Sequence, residues 1–222
     1  MPAQRVGIRV EDSELDGILH LPDTSAIGGA AVLHGFGGDP DQPHIVATCD
    51  ALAQVGVAAL RFAYRDHRPP RMTLATGLAD AAGAIRVLKA HPDVPERLGV
   101  VGFSFGGTVA ALVAGRDSRI RGAVLAAAPA IAGPHFAAWS NDGNWKPVAE
   151  LSRTRARVLL VWGSRDSQVP FENAERYAAV LSQARVPNKI VTIEGADHDF
   201  APAGPRAQMT ETIAQWLRET LG

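Results

Sequence analysis

The sequence has almost no cysteine and no long apolar run. Cys49 is the only cysteine in 222 residues, which excludes an internal disulfide framework and fits a reducing compartment. No apolar run approaches the ~20 residues that a membrane-spanning helix needs. The segment from Met1 to Val10 is polar and lacks the apolar core of a signal peptide. We therefore expect a cytoplasmic protein that makes no membrane contact.

An excess of charge of one sign is also missing. The formal net charge is -1, so nothing favours nucleic acid or an anionic membrane as a partner. No cluster of His, Cys, Asp or Glu has metal-ligand spacing, and no phosphate-binding glycine motif is present. We expect neither a metal nor another cofactor. The length of 222 residues favours one domain over residues 1–222, as a monomer or a homodimer.

What the sequence does contain is a serine between a predicted strand and a predicted helix. Ser104 lies in a Gly-x-Ser-x-Gly motif that follows the apolar run 98–101 and precedes the alanine-rich run 108–115. In this context the motif is typical of a nucleophile elbow, which holds its serine at positive φ. Strand and helix cross so closely there that positions two before and two after the serine must be small, and both are glycine. A turn serine with a structural role is the alternative.

Short apolar runs alternate with helical periodicities along the rest of the chain. After a leading pair of strands, this alternation predicts an α/β protein with a mostly parallel sheet. The predicted strands cover 4–10, 15–21, 30–33, 57–62, 98–101, 123–127, 158–162 and 190–193. The predicted helices cover 43–55, 74–90, 108–115, 172–184 and 208–221, with a short one near 148–154.

Four motifs stand in an order that resembles the α/β-hydrolases. The run His-Gly-Phe-Gly-Gly at 34–38 follows the third strand, Ser104 the fifth, Asp166 the seventh and His198 the eighth. This resemblance covers nearly the whole chain and implies about eight strands with helices on both faces and a minimal cap. The small size and Phe200 after the histidine look most like the dienelactone-hydrolase and small-esterase branch. Dienelactone hydrolases proper carry cysteine at the elbow, so the serine argues against dienelactone itself as the substrate.

The resemblance also implies a role for each motif. Ser104 is the expected nucleophile, His198 the general base and Asp166 the carboxylate that orients the base. The expected oxyanion-hole donors are the backbone N–H groups of Phe36 and Phe105. This mechanism needs no cofactor.

Other residues compete for two of these roles. Asp197 and Asp199 flank His198, but side chains adjacent in sequence usually point apart, which favours Asp166. A turn-forming role for Asp166 stays open. His198 is the favoured base because the loop after the last strand can reach the elbow, whereas the competing histidines lie in a strand, at helix ends or in other loops. A surface-loop role is its alternative.

The substrate contacts and the cover of the site are less specific. The candidate contacts are His34, His67, His135, Trp139 and Phe200. The segment 131–157 is too short for a large lid and predicts a small cap-like insertion at most. The basic loop Arg65 to Arg71 either selects acidic substrates or is a solvated surface, and the solvated surface is favoured.

These residues together predict a serine hydrolase for carboxylic esters of small to medium size, acting on a small-molecule ester substrate. One alternative is a peptidase or amidase of the prolyl-oligopeptidase type. The other is a non-catalytic ligand-binding protein on the same fold.

Overall fold

The chain folds around an eight-stranded sheet. The computed structural model describes residues 3–65, 72–130 and 145–222. Within these ranges the strands are β1 (Ala3–Val10), β2 (Ser13–His20), β3 (Gly28–Leu33), β4 (Val57–Phe62), β5 (Leu98–Phe103), β6 (Ile120–Ala126), β7 (Arg157–Gly163) and β8 (Asn188–Ile193). The helices are α1 (Pro43–Gln54), α2 (Leu74–Ala90), α3 (Phe105–Arg116), α4 (Pro147–Leu151), α5 (Glu172–Gln183) and α6 (Ala203–Leu221).

Most of the sheet is parallel, as the alternating pattern predicts. The strand order is β1-β2-β4-β3-β5-β6-β7-β8. The pairs β1–β2 and β2–β4 are antiparallel, and all other neighbouring pairs are parallel. The strands β3, β4 and β5 are buried along their whole length. The carboxyl ends of these central strands therefore meet at one edge, where α/β sheets bind ligands.

Alternate side chains of each strand enter two separate core layers. On β3, Ala30 and Val32 join the layer built with α1 and α6, whereas Ala31 and Leu33 join the layer built with α2 and α3. Cys49 of α1 is fully buried in the first layer, and this burial raises the pKa of its thiol. None of the described helices is both long enough and apolar enough to cross a bilayer.

Two helices begin earlier than their sequence patterns predict. Helix α3 begins at Phe105. The sequence pattern predicts a later start because two glycines form the first turn, and glycine has a low helix propensity. Close packing explains the glycine at position 107, since a Cβ at Gly107 would lie 2.5 Å from the Cβ of Ala128. Helix α6 begins at Ala203 and includes Pro205 in its first turn, where the missing N–H costs no hydrogen bond.

Candidate active site

Ser104 lies at the sharp turn between β5 and α3. Its backbone has φ 52° and ψ -117°, a conformation that costs a non-glycine residue free energy unless its surroundings hold it. Two hydrogen bonds do so: its N–H donates to the Ala126 carbonyl at 2.8 Å, and its carbonyl accepts from the Thr108 N–H at 3.1 Å. The turn therefore presents the Ser104 hydroxyl at the carboxyl edge of the sheet.

Glycine is required on both sides of this turn. A Cβ at Gly102 would lie 2.0 Å from the carbonyl oxygen of Gly106. A Cβ at Gly106 would lie 2.4 Å from the Leu33 oxygen and 2.6 Å from the His34 oxygen. Since these neighbours are backbone atoms, they cannot rotate away. The expectation that both positions must be small is confirmed.

The structure brings Ser104 together with the predicted base and acid. The Nε2 atom of His198 lies 3.0 Å from the Ser104 Oγ, and its Nδ1 atom lies 2.9 Å from the Oδ2 of Asp166. A carboxylate can only accept, so Nδ1 donates to it and Nε2 is left to accept the serine proton. The side chains of His198 and Asp166 are 10% and 1% exposed, which shields the pair from water.

The other oxygen of Asp166 holds the carboxylate in place. Its Oδ1 accepts hydrogen bonds from the backbone N–H groups of Gln168 and Val169, each at 2.9 Å. The competing carboxylates have other surroundings. The Oδ1 of Asp197 accepts from the Ala201 N–H at 2.8 Å, and Asp199 is exposed. Asp166 is thus the carboxylate placed against the imidazole.

Three hydrogen bonds tie the loop that carries Asp166 to the loop that carries His198. The Ser164 N–H donates to the Ile193 carbonyl at 3.0 Å, and the Arg165 N–H donates to the Ala196 carbonyl at 2.9 Å. The Gly195 N–H donates to the Ser164 Oγ at 2.8 Å. These bonds fix the separation of acid and base.

The two predicted oxyanion donors belong to segments that lie next to Ser104 in the chain or in space. Phe105 is the first residue of α3, where a helix leaves its N–H groups directed out of its end. Phe36 lies in the loop of residues 34–42 between β3 and α1, and this loop passes close to the elbow, since a Cβ at Gly35 would be 3.4 Å from the Ser104 Cβ. The Phe36 and Phe105 rings pack with centroids 6.1 Å apart.

Residues 15–220 match the dienelactone hydrolase family. The chain belongs to that family. Membership of the dienelactone hydrolase family supports hydrolysis as the reaction.

Several proteins similar to this dienelactone hydrolase family member cover nearly all of its length. An uncharacterized protein of Mycobacterium tuberculosis is 28% identical over 242 residues, covering 99% of this chain and 81% of the relative. The structure of Est1E from Butyrivibrio proteoclasticus with bound ferulic acid has a TM-score of 0.83 at 21% identity, covering 97% of this chain and 99% of Est1E. A dienelactone hydrolase from Anabaena variabilis has a TM-score of 0.81 at 20% identity, covering 100% of this chain and 99% of that one. These two structures show that the chain has the α/β-hydrolase fold.

The prediction that His34 and Phe200 contact substrate is corrected by their burial, since both are 0% exposed. The His34 Nδ1 donates to the Gly35 carbonyl at 2.8 Å, and its ring lies edge-on to Tyr64. The backbone of Phe200 has φ 51°, which turns its ring into the core against Phe103 at 6.2 Å. Both side chains therefore pack inside the protein and present no exposed surface to a substrate.

Arg65, the described residue of the predicted basic loop, is not a solvated surface charge. Its Nε donates to the Oδ1 of Asp80 at 2.7 Å and its backbone N–H to the Oδ2 at 2.9 Å, and Asp80 is fully buried. Its Nη1 donates to Glu11 at 2.7 Å. The favoured interpretation of a solvated loop is therefore wrong for Arg65. The candidate contacts His67, His135 and Trp139, and residues 131–144 of the cap-like segment, lie outside the described residues.

His44 is a residue near the site that the sequence does not distinguish from other helix-end histidines. It is 5% exposed, and its ring packs on Phe103, the residue before the nucleophile, with centroids 4.8 Å apart. Burial lowers its pKa from 6.5 to about 4, against the opposing attraction of Asp199 and with a smaller lowering by His198. His44 is therefore neutral at pH 7.

The buried His44 predicts a loss of stability in mild acid. Below pH 6.5 the unfolded chain protonates this histidine while the folded chain does not, so the free energy of unfolding falls until the pH reaches about 4. The fall amounts to about 2–3 kcal/mol between pH 7 and pH 4.5. Urea unfolding at pH 7 and pH 4.5 should show that the difference in the free energy of unfolding between the two pH values is smaller by about 2–3 kcal/mol in His44→Gln than in the wild type. An identical pH dependence in the two proteins would contradict the prediction.

Proposed function

We propose that this chain is a serine hydrolase that cleaves carboxylic esters of small to medium size through an acyl-enzyme intermediate. The observation that carries the proposal is the continuous line of hydrogen bonds from Asp166 through His198 to Ser104. A serine hydroxyl is a weak nucleophile until a base takes its proton, and the base needs a partner that fixes its tautomer. His198 lies at hydrogen-bond distance from Ser104 as the base, and Asp166 lies at hydrogen-bond distance from His198 as the partner that fixes its tautomer.

Acylation begins when the Ser104 Oγ attacks the ester carbonyl carbon and its proton passes to His198 Nε2. The carbonyl electron pair moves to the oxygen, which becomes an oxyanion. In the proposed mechanism the N–H groups of Phe36 and Phe105 donate to it, and the amino end of α3 adds a favourable dipole. The intermediate collapses, the bond to the alcohol oxygen breaks, and His198 returns its proton to the departing alcohol.

Deacylation repeats these steps with water. His198 Nε2 takes a proton from a water molecule that attacks the acyl carbon. The second tetrahedral intermediate expels Ser104 Oγ, which regains a proton from His198, and the carboxylic acid leaves. Asp166 stays ionised throughout and stabilises the imidazolium that forms twice.

A fluorophosphonate probe tests the proposal directly. We expect the probe to label the wild-type chain and to leave Ser104→Ala unlabelled. A p-nitrophenyl ester series from acetate to laurate would then give the size of the acyl pocket, and methyl ferulate extends it to aromatic acids because Est1E was solved with ferulic acid. Turnover of amides without turnover of esters would favour the peptidase or amidase. A folded protein that takes no label would favour the binding protein.

A further inference from the structure

Arg61 is a cation on an otherwise apolar strand. Its neighbours along β4 are Val, Ala, Ala, Leu and Phe, and Arg61 itself is only 8% exposed. Burying a guanidinium costs several kcal/mol unless its donors find partners. The partners of Arg61 therefore indicate why the strand carries a charge there.

Two of these partners belong to the loop of residues 34–42. The Nη1 atom of Arg61 donates to the Pro40 carbonyl at 2.9 Å and forms an ion pair with the Asp41 carboxylate. Arg61 also stands opposite Val32 of β3, close to the point where the loop leaves that strand. The Arg61 side chain thus holds the carboxyl-terminal part of the loop against the sheet, close to the strand from which the loop begins.

The Nε atom of Arg61 is anchored to β2, and through β2 to α1. The Arg61 Nε donates to the Nε2 of His20 on β2 at 3.0 Å, and the His20 Nδ1 donates to the Oδ1 of Asp50 on α1 at 3.0 Å. Since Arg61 can only donate, His20 accepts at Nε2 and carries its proton on Nδ1. This chain of bonds fixes both the tautomer of His20 and the direction of Arg61.

The loop that Arg61 holds also carries Phe36. Phe36 lies within a tight turn of this loop, in which the Gly38 N–H donates to the Gly35 carbonyl at 3.1 Å. A glycine-rich segment of this kind has wide conformational freedom, and an oxyanion donor must be fixed before the reaction to be effective. A clamp at Pro40 and Asp41 removes that freedom.

We propose that Arg61 is a positioning residue, which fixes the loop of residues 34–42 so that the Phe36 N–H is directed at the oxyanion. His20 and Asp50 hold Arg61 in turn. The inference rests on the proposed function, because it assigns a task to the oxyanion donor of that mechanism.

The test compares Arg61→Met with the wild type and with Arg119→Met. Methionine keeps much of the stem of Arg61 and removes every donor. Arg119 also forms an ion pair, with Asp117 at 2.6 Å, but it lies at the amino end of β6 and away from Ser104, so its variant controls for the loss of an arginine. The measurements are kcat and KM for p-nitrophenyl acetate, the rate of fluorophosphonate labelling, and hydrogen exchange of the peptide spanning 34–42.

In Arg61→Met, kcat and the labelling rate should fall on the order of 10- to 100-fold, below the cost of losing an oxyanion donor outright. KM should change little, since the effect is confined to the transition state. Hydrogen exchange at 34–42 should become faster in Arg61→Met. Arg119→Met should match the wild type in its kinetic constants, its labelling rate and its hydrogen exchange. Wild-type kcat and wild-type exchange in a folded Arg61→Met would overturn the inference.

Two further outcomes are distinguishable. If Arg61→Met does not fold, Asp41→Ala decides, because the Asp41 side chain is 73% exposed and its loss removes one of the two clamping contacts. Faster exchange at 34–42 with a lower kcat supports the clamp, and no change in either overturns it. If the wild type takes no label at all, the proposed function fails, while the exchange data still show whether Arg61 holds the loop.

Discussion

Replacing Ser104 by alanine is expected to lower kcat for p-nitrophenyl esters on the order of 10⁶-fold, the loss typical of removing a serine nucleophile. The hydroxyl is the atom that forms the acyl bond, and His198 Nε2 is left with no proton to accept. The fold should survive, because the hydrogen bonds that hold the turn come from the Ser104 backbone. Steady-state kinetics together with thermal melting measure both effects.

Ser118→Ala is the matched control for this variant. Ser118 is exposed and lies between α3 and β6, at the opposite end of the sheet from the elbow. Its loss should leave kcat at the wild-type value. Full activity in a folded Ser104→Ala would overturn the acyl-enzyme mechanism.

Asp166→Asn is expected to reduce kcat on the order of 10⁴-fold, as removal of a triad carboxylate's charge does elsewhere. The surroundings of Asp166 give the reason. Two backbone N–H groups donate to Oδ1, so the asparagine oxygen must stay there and its NH₂ group must face His198. An NH₂ group donates to Nδ1 and forces the proton onto Nε2. His198 then cannot accept the proton of Ser104.

Asp199→Asn makes the same chemical change one residue from the base. Asp199 is exposed, and Asp166 is the carboxylate hydrogen-bonded to His198, so kcat should change by only a small factor. The pH–rate profiles of both variants would separate a tautomer effect from a loss of structure. A large loss in Asp199→Asn with a small one in Asp166→Asn would mean that the acid is wrongly assigned.

Local sequence patterns are sufficient to predict the order of strands and helices. The buried central strands are apolar apart from Arg61 on β4, and the spacing of apolar residues gives α2 with the bounds that the structure has, Leu74–Ala90. The starts of α3 and α6 are missed for a physical reason. Glycine and proline disfavour helix in isolation, yet close packing at Gly107 and the free first turn at Pro205 favour them in place.

In the candidate site, too, some features are predictable from local sequence and others depend on tertiary contacts. The resemblance to the α/β-hydrolases predicts Ser104, Asp166 and His198 as a set, and the structure shows that each follows a strand ending at the same edge of the sheet. The burial of Phe200 depends on a positive φ, which a phenylalanine rarely adopts and a sequence does not reveal. The contact of Arg61 with His20 joins residues 41 positions apart, and only the pairing of β2 with β4 brings them together.

The position of the base in the sheet has a consequence for thermal inactivation. Ser104 follows β5, which has strands on both sides, whereas His198 follows β8, the last strand of the described sheet and one that is only partly buried. Edge elements open locally at lower free energy than central ones. Because the loops of Asp166 and His198 are bonded to each other, such an opening would remove acid and base together. We expect turnover to decline reversibly below the melting temperature, with the elbow still folded.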